Sequence, residues 1–400
     1  MKLHKALLGG SLILLITFNL FSLLNFIFNI SMARMLSLAE YGSLMTLMSV
    51  IIIFTIFSDS IQTIISKYST QEKDLSKIKN IIKKSLKKAT KTSFIIFILF
   101  LLVAILFSFL FKINYLLIAL TGTMIFAYFL VPIIRGVMQG KKKFTSLGLN
   151  FVFEGGIKLV FAIFLVYIGW NLYGAMLGVV LGAFGAFALS FIPIKDILNK
   201  NEKPSKTPDI YNYSKPVFVT LLAITLFLSL DIIIAKIFFS PNIAGAYAIS
   251  STIAKIIFIG VQPISRAMFP FTTESKNNKD SKKAFLNAFF LIAILISIAL
   301  ILIFFFSDLI ILLYAGKIIP QSSSILIYLA IAMSLLSFTN LILFYKLSKG
   351  NTKIYWVLLI FILVQIILLS IFNANLFQFS IALITASVSF LWGSILLLSK

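Results

Sequence analysis

The chain has 400 residues, of which 60% are hydrophobic and only 12% are charged. Charged residues make up about a quarter of ordinary soluble proteins, and a mean hydropathy of +1.08 leaves too few polar groups to cover a water-soluble fold of this size. The composition therefore predicts a polytopic membrane protein, and it excludes a cytosolic enzyme, a disulfide-stapled scaffold and low-complexity disorder.

Twelve apolar runs, taken in chain order, are long enough to cross a hydrocarbon core of about 30 Å. The third and fourth runs are separated only by Lys112 to Asn114, and the fifth and sixth meet near Trp170 and Asn171, so each pair is predicted to form a tight hairpin. The first run is too long for a cleavable signal peptide. The predicted spans cover approximately residues 7–30, 41–65, 92–112, 114–135, 151–169, 172–194, 216–239, 243–264, 284–306, 322–344, 354–373 and 376–398.

The basic residues divide unevenly between the two sides of this plan. With a cytoplasmic N-terminus, 29 of the 35 Lys and Arg residues fall on the cytoplasmic side and four on the other. Short cytoplasmic loops carry this excess, so both termini are predicted to be cytoplasmic in a multi-pass cell-membrane protein. The asymmetry accounts for the net charge of +23 and removes the case for a nucleic acid partner. The Lys-rich stretch 73–91 is predicted to be an amphipathic helix on anionic membrane lipid.

The residue types needed for most enzyme sites are missing. The sequence has no Cys, and its one His, His4, lies beside the N-terminus. Thiolate catalysis, metal centres built on Cys or His, and iron–sulfur or haem chemistry are thereby excluded or nearly so. An integral-membrane transferase or polymerase is disfavoured as well, because the chain has no Asp-x-Asp pair and no internal His. We expect no enzyme activity, no bound metal and no organic cofactor.

The two halves of the sequence resemble each other in order. Residues 33–42, at the boundary of the first and second runs, match residues 235–247, at the boundary of the seventh and eighth. Residues 66–72 then match residues 268–274, and a Lys-rich segment follows each. Runs one to six therefore repeat as runs seven to twelve. Since six is even, both copies enter the membrane from the same side, and the repeat is parallel.

This repeat predicts an all-α membrane protein of twelve helices in two pseudo-symmetric lobes of six. The N-terminal lobe covers residues 1–199 with spans 1–6, a cytoplasmic linker covers 200–215, and the C-terminal lobe covers 216–400 with spans 7–12. Two such lobes flanking a central cavity are the geometry of alternating access.

Several short motifs, in this order over nearly the whole chain, carry a family resemblance. They are Ala33-Arg34-Met35-Leu36, Glu40-Tyr41-Gly42, Arg135-Gly136-Val137-Met138-Gln139-Gly140 before Phe144, Ser229-Leu230-Asp231, Ala244-Gly245-Ala246-Tyr247, Met268-Phe269-Pro270 and Leu312-Leu313-Tyr314-Ala315-Gly316. The chain resembles the polysaccharide transporter, or O-antigen flippase, branch of the multidrug/oligosaccharidyl-lipid/polysaccharide flippase superfamily.

The resemblance implies a V-shaped two-lobe flippase fold that moves lipid-linked oligosaccharides from the inner to the outer leaflet. Twelve spans, where lipid II flippases carry two more, point to the O-antigen or exopolysaccharide type. The implied partners are a lipid-linked oligosaccharide, membrane lipid and the polysaccharide polymerase or glycosyltransferases of the same pathway.

Charges inside the predicted spans each need a reason, because a central Asp or Lys costs about 2.5–3.5 kcal/mol on insertion scales. Glu154 and Lys158 are four residues apart with the acid first, the favourable order for an ion pair on one helix face. They form either a structural pair or a cavity-facing pair that a substrate phosphate opens. Asp59, near the inner end of the second span, either pairs with a loop Lys or joins Glu154 as an ion-coupling group.

Asp231 lies near the middle of the seventh span, and Lys255 is central in the eighth. One interpretation pairs them across adjacent helices. The other makes Asp231 the site of a coupling ion, H⁺ or Na⁺, although no second carboxylate nearby supports a Na⁺ cage.

Arg34 and Lys236 occupy equivalent positions in the repeat. Two cations suit a diphosphate, with Arg giving bidentate contacts and Lys a point charge, but both could instead reach outer headgroups. Asn25 and Asn29 lie one turn apart in the first span, where their amides suit either sugar hydroxyls or interhelical hydrogen bonds. With Lys158 and Lys255, these residues form the predicted substrate-binding set.

The bases in the spans favour one transport function over another. A cation-coupled multidrug exporter of the same superfamily, the alternative function, predicts more acids than bases around its substrate. Arg34, Lys158, Lys236 and Lys255 outnumber Asp59, Glu154 and Asp231, which favours an anionic substrate.

Overall fold

The structure, a computed structural model, describes residues 2–205, 209–211, 214–274, 278–350 and 355–396, excluding the side chains of residues 2–11, 274 and 278, so the His4 side chain lies outside it. These residues form fifteen α-helices and no β-strand. The helices are α1 Lys2–Met35, α2 Leu38–Ile52, α3 Thr55–Gln71, α4 Leu75–Phe111, α5 Tyr115–Gly122, α6 Met124–Gly140, α7 Phe144–Leu165, α8 Asn171–Ser190, α9 Lys195–Leu198, α10 Lys215–Phe238, α11 Pro241–Glu274, α12 Asn278–Ala315, α13 Pro320–Ser348, α14 Leu358–Ile371 and α15 Leu376–Leu396.

Ten helical segments of the described chain are long and apolar enough to cross a membrane. One of them, Phe144–Leu198, contains both α7 and α8, and a further apolar segment, Tyr355–Ile371, is shorter than the rest. The twelve runs predicted from the sequence fall on these segments, so the prediction of an all-α, multi-pass membrane protein is confirmed.

The two predicted hairpins are present. Lys112 ends α4 with a left-handed φ of 53°. A short π-helical turn, Val166–Trp170, joins α7 to α8, and Gly169 within it has a φ of 94°, where glycine alone meets no Cβ penalty. The chain reverses at both places without any extended loop.

Helix α8 packs on α7 through its glycines. A methyl group on Gly178 would lie 2.6 Å from the backbone nitrogen of Ala162, and one on Gly182 would lie 2.7 Å from the carbonyl oxygen of Glu154 and 2.8 Å from Cβ of Lys158. Residues later in α8 contact residues earlier in α7, so the two helices are antiparallel. Removal of the side chain lets the backbones approach, and this contact fixes the turn of α7 that carries Glu154 and Lys158.

The chain divides into two compact units, which are described separately. Unit 1 comprises Met1–Leu36 and Phe54–Tyr213, and unit 2 comprises Ser37–Ile53 and Ser214–Lys400. The second predicted span is broken near Ile53 and Phe54, so that α2 belongs to unit 2 and α3 to unit 1. The lobe boundaries predicted from the repeat stay a prediction.

In unit 2, α2 packs closely on α11. Ser37 and Glu40 form a capping box at the start of α2, with the Ser37 backbone N–H donating to the Glu40 carboxylate at 3.0 Å. A methyl group on Gly42 would lie 2.8 Å from Cα of Gly245, and one on Gly245 would overlap the Leu38 carbonyl oxygen at 1.9 Å. These two glycines, which belong to matching segments of the repeat, let the helices cross backbone to backbone.

In unit 1, the connection after α9 lies along the basic first part of α4. Glu202 accepts hydrogen bonds from Lys83 Nζ at 2.8 Å and Asn80 Nδ2 at 2.6 Å, and Asp209 accepts one from Lys88 Nζ at 2.7 Å. Residues 75–91 are helical, as predicted. One face of that helix is occupied by acidic residues of the chain itself, so only part of its charge is available to lipid.

Asn80 is the centre of this contact. It is 6% exposed, and its Oδ1 accepts hydrogen bonds from the Ser205 backbone N–H at 3.2 Å and from Ser205 Oγ at 3.0 Å. Hydrogen bonds from Lys83 and, to a smaller extent, from Asn80 lower the pKa of Glu202. The hydrogen bond from Lys88 is the largest of the effects that lower the pKa of Asp209.

We predict that Gly182→Val lowers the stability of the protein by about 1–3 kcal/mol, because the added methyl groups overpack the contact between α7 and α8. Thermal unfolding in detergent measures the change. Gly156→Val is the matched control, since apart from the adjacent residues and backbone of α7 itself no atom of the described chain lies within 4 Å of a Cβ at that position. Equal unfolding temperatures for the two variants would contradict this packing.

We predict that Asn80→Ala increases hydrogen exchange in residues 200–205, because it removes the hydrogen bonds that hold Glu202 and Ser205, whereas Lys87→Ala on the same helix leaves the exchange unchanged. Glu202 and Asp209 both have lowered pKa values in the folded state. The contact between this connection and α4 is therefore complete above the pKa values of the unfolded chain, about 3.9 for Asp and 4.3 for Glu. It is lost as the pH falls through the folded values. Protection of residues 200–205 that does not change on acidification to pH 3 would contradict the role of Glu202.

Candidate functional site

The charged and amide residues predicted as a site lie on five helices. Asn25, Asn29 and Arg34 are on α1, Asp59 is on α3, Glu154 and Lys158 are on α7, Asp231 and Lys236 are on α10, and Lys255 is on α11. Those on α1, α3 and α7 belong to unit 1, and those on α10 and α11 to unit 2.

Glu154 pairs with a residue on a neighbouring helix. Its Oε2 accepts a hydrogen bond from Nη2 of Arg135, on α6, at 2.5 Å. The predicted pair with Lys158 on the same helix is absent among the ion pairs of the described chain. A planar guanidinium makes stronger, more directional bonds to a carboxylate than an ammonium does, so this interhelical partner satisfies Glu154.

Arg135 is buried and contacts three residues of α7. It is 7% exposed, its Nε donates to Asn150 Oδ1 at 2.7 Å, and its guanidinium carbon lies 3.7 Å from the centre of the Phe151 ring. Asn150 in turn donates to the carbonyl oxygen of Ala186 on α8 at 2.7 Å. The charge of Arg135 is therefore neutralised and its donors are committed to α7.

Lys158 lies in a different environment. Its side chain points to α1, where Nζ donates a hydrogen bond to Asn25 Oδ1 and lies 4.4 Å from the centre of the Phe28 ring. Lys158 is 8% exposed. Within the described part of the chain no carboxylate lies within the 4.0 Å of an ion pair from its Nζ. An amide dipole and an aromatic face therefore stabilise a buried ammonium that has no carboxylate of the described residues at ion-pair distance.

The other predicted residues of unit 1 lie on α1 and α3. Asn25 donates its Nδ2 to the Phe21 carbonyl oxygen at 2.9 Å, which orients its Oδ1 toward Lys158. Asn29 is half-buried one turn further along, and Arg34 and Asp59 are exposed. Their proposed roles stay predictions.

In unit 2, Asp231 is completely buried, with an exposed fraction of 0%. Its Oδ1 accepts a hydrogen bond from Lys255 Nζ at 2.9 Å, and its Oδ2 accepts hydrogen bonds from Ser251 Oγ at 2.5 Å and Tyr247 OH at 3.3 Å. The interhelical pairing of Asp231 with Lys255, one of two interpretations from the sequence, is therefore confirmed.

Lys236 also has a neutral partner. It is 4% exposed, and among its contacts its Nζ donates to Ser43 Oγ, on α2, at 2.8 Å. Lys236 is thus a second deeply buried ammonium that is hydrogen-bonded to a neutral oxygen.

Two further buried cations were missed by reasoning from the sequence. Arg135, and Lys346 in the last turn of α13, were counted with the loop cations, yet both are less than 10% exposed. Each follows directly on an apolar run, at residues 124–134 and 341–345. That position, continuous with a span, was the available signal.

The arrangement suits binding of an anion more than of a cation. Arg135 with Glu154 and Asp231 with Lys255 are neutral pairs, whereas Lys158 and Lys236 carry positive charge that neutral groups support. Burial of an ammonium with no carboxylate of the described chain within 4.0 Å, as at Lys158, favours an anion over a second cation at that position. No cluster of three or more His, Cys, Asp or Glu residues able to hold a metal is found among the described residues.

Sequence comparison identifies a family. The profile of the family described as "Polysaccharide biosynthesis protein" matches residues 8–276, about two thirds of the chain. An uncharacterized membrane protein of Methanocaldococcus jannaschii, MJ1375, is 26% identical over 286 residues, which cover 67% of this chain and 68% of that protein.

Three solved structures have the same fold at low identity. An inward-facing multidrug resistance MATE family transporter of the MOP superfamily has a TM-score of 0.76 at 15% identity over 95% of both chains. The lipid II flippase MurJ, in an inward closed conformation, has a TM-score of 0.74 at 14% identity, covering 97% of this chain and 88% of that one. A MOP superfamily transporter from Pyrococcus furiosus, described as having a binding pocket of reverse polarity, has a TM-score of 0.65 at 14% identity, covering 98% and 94%.

These structures bear out the predicted flippase-superfamily fold. The chain belongs to the polysaccharide biosynthesis protein family and is a multi-pass membrane protein with the fold of the MOP-superfamily transporters and flippases.

Proposed function

We propose that this protein is a flippase that moves a polyprenyl-(di)phosphate-linked oligosaccharide from the inner to the outer leaflet by alternating access. Membership of the polysaccharide biosynthesis family supports a glycan substrate. The fold that the chain has in common with a lipid II flippase supports a lipid-linked one. The polyprenyl tail remains in lipid while the charged headgroup crosses with the protein.

Lys158 is the observation that carries this proposal. A buried ammonium supported by an amide oxygen and an aromatic ring can exchange the Asn25 contact for a phosphate oxygen at little cost. The phosphate contact is charge-assisted and so stronger than the amide contact it replaces. Asn25 would then be released to bind a sugar hydroxyl of the same substrate, and Asn29, one turn further along α1, is proposed to bind another.

Arg34 in unit 1 and Lys236 in unit 2, which the sequence also predicts to bind substrate, are each proposed separately to contact an anionic headgroup. Lys236 has a hydroxyl partner, Ser43 Oγ at 2.8 Å, that a phosphate oxygen can replace in the same way. Lys255, which was predicted with these residues, is engaged by Asp231 in the structure. We therefore propose headgroup binding by Lys158 in unit 1, keep Arg34 and Lys236 as separate proposals from the sequence, and leave Lys255 to Asp231.

The membrane potential is the proposed driving force. Each negative charge that moves outward across a potential negative inside gains about 2.3 kcal/mol per 100 mV. Such transport requires the plasma membrane and cytoplasmic termini, which the distribution of basic residues supports. Glycosyltransferases on the inner side would supply the substrate, and a polysaccharide polymerase on the outer side would consume it.

The second candidate is a cation-coupled multidrug exporter, which the likeness to MATE family transporters favours. It needs a carboxylate available to a cationic drug. Glu154 and Asp231, two of the carboxylates predicted to couple ions, have basic partners. We therefore rank the exporter second.

We predict that Lys158→Ala slows the flipping of a fluorescent polyprenyl-diphosphate oligosaccharide in proteoliposomes by about 10- to 100-fold. A hydrogen bond to a charged group contributes about 1.5–3 kcal/mol, and this one would be lost. Lys158→Arg, which keeps the charge, should retain part of the rate. The initial rate with an imposed potential, negative inside, is the measurement.

Lys317→Ala is the matched control, because it removes the same charge from an exposed position between α12 and α13. Unfolding temperatures of both variants establish that they are folded. A wild-type rate in Lys158→Ala would remove the proposed site. Protein-dependent export of a cationic dye, with no flipping of any lipid-linked sugar, would establish the second candidate instead.

A further inference from the structure

The three groups that donate to Asp231 lie on one face of one helix. Tyr247, Ser251 and Lys255 are spaced four residues apart on α11, so they lie above one another on successive turns. All three reach the same carboxylate on α10, with the hydroxyls on Oδ2 and the ammonium on Oδ1. The side chain of Lys255 is 14% exposed and that of Asp231 is fully buried.

Without Lys255, this cluster has the composition of a site for a monovalent cation. A hard cation binds oxygen ligands, and the cluster offers a carboxylate and two hydroxyl oxygens in a buried position. In the structure, Lys255 Nζ lies 2.9 Å from Asp231 Oδ1, on the carboxylate where such an ion would bind. A second positive charge a few ångströms from the ammonium would be repelled strongly at low dielectric.

The other half of the repeat indicates that the fold does not need this charge pair. Asp231 stands five residues before Lys236, and Asn29 stands five residues before Arg34, which is the residue equivalent to Lys236. The corresponding position of α1 therefore holds a neutral amide. A buried ion pair is also a weak source of stability compared with apolar packing. The pair in unit 2 is thus a feature of this site rather than a requirement of the helix.

We infer that Lys255 is a tethered cation that occupies the monovalent-cation position on Asp231, so that this protein neither binds nor exchanges Na⁺ at that carboxylate. Because the ammonium is covalently part of α11, it cannot be released to either side of the membrane. Asp231 therefore remains neutralised without an ion from solution. That transport is independent of a Na⁺ gradient rests on the proposed function. That Na⁺ does not bind at Asp231 does not rest on it.

The binding statement is tested by thermal unfolding of the purified full-length protein in detergent, at fixed pH and constant ionic strength, with NaCl replaced stepwise by choline chloride. The wild type should show the same unfolding temperature in both salts. Lys255→Met, which keeps the length of the side chain but removes the charge, should be stabilised by Na⁺ by several degrees, since a ligand that binds only the folded state raises its stability. Asp231→Asn/Lys255→Met should lose that response.

Each outcome decides the inference. A Na⁺-dependent rise in the wild type that disappears in Asp231→Asn would overturn it, and this comparison remains valid if Lys255→Met does not fold. A folded Lys255→Met that is indifferent to Na⁺ would also overturn it, because the pair would then be a structural contact and not an occupied ion site.

Transport provides a separate measurement. Flipping in proteoliposomes should have the same rate with inward, outward or no Na⁺ gradient at a fixed potential. A rate that follows the Na⁺ gradient would contradict the inference while supporting a flippase. Absence of any flipping would contradict the proposed function and leave the unfolding result to decide the cation site.

Discussion

The cost of a charge in hydrocarbon is the constraint on which the polar architecture of this protein depends. Water is not available to solvate a buried side chain, so each ionised group must find its partner on a neighbouring helix. Arg135 on α6 meets Glu154 on α7, and Lys255 on α11 meets Asp231 on α10. Glycines of α8 and α2 bring a further helix against α7 and α11, the helices that carry Glu154 and Lys255. In each unit, close packing therefore holds the helix that supplies one member of the charge pair.

The buried charges are stabilised in two different ways, and the difference bears on function. In the neutral pairs an acid and a base neutralise each other, so the pair has no net charge with which to attract a ligand. Lys158 and Lys236 are instead supported by an amide, an aromatic ring and a hydroxyl. Neutral groups of this kind lower the cost of the charge without cancelling it. The positive charge that remains on Lys158 is what an anionic headgroup would recognise.

Much of the fold could be predicted from the sequence, because apolar runs of membrane length and the turn residues between them are local signals. The hairpins at Lys112 and Gly169 are examples. The partners of the charges were harder to predict. Glu154 and Lys158 have the spacing of a pair on one helix, yet their side chains point to different neighbours, α6 and α1. Helical spacing says which residues share a face, but it does not say which helix covers that face. The assignment of α2 to unit 2 escaped prediction for the same reason.

The break near Ile53 and Phe54 has a consequence for how the protein is made. The chain passes between the two units three times, after Leu36, after Ile53 and after Tyr213. Helix α2 leaves the ribosome early, but the helices on which it packs, α10 and α11, are synthesised more than 160 residues later. Contacts this distant in sequence form slowly because a long loop must close first. During insertion, the face of α2 that carries Gly42 therefore has no α11 to pack on until that helix has been synthesised. Completion of unit 2 depends on this segment from the first part of the chain.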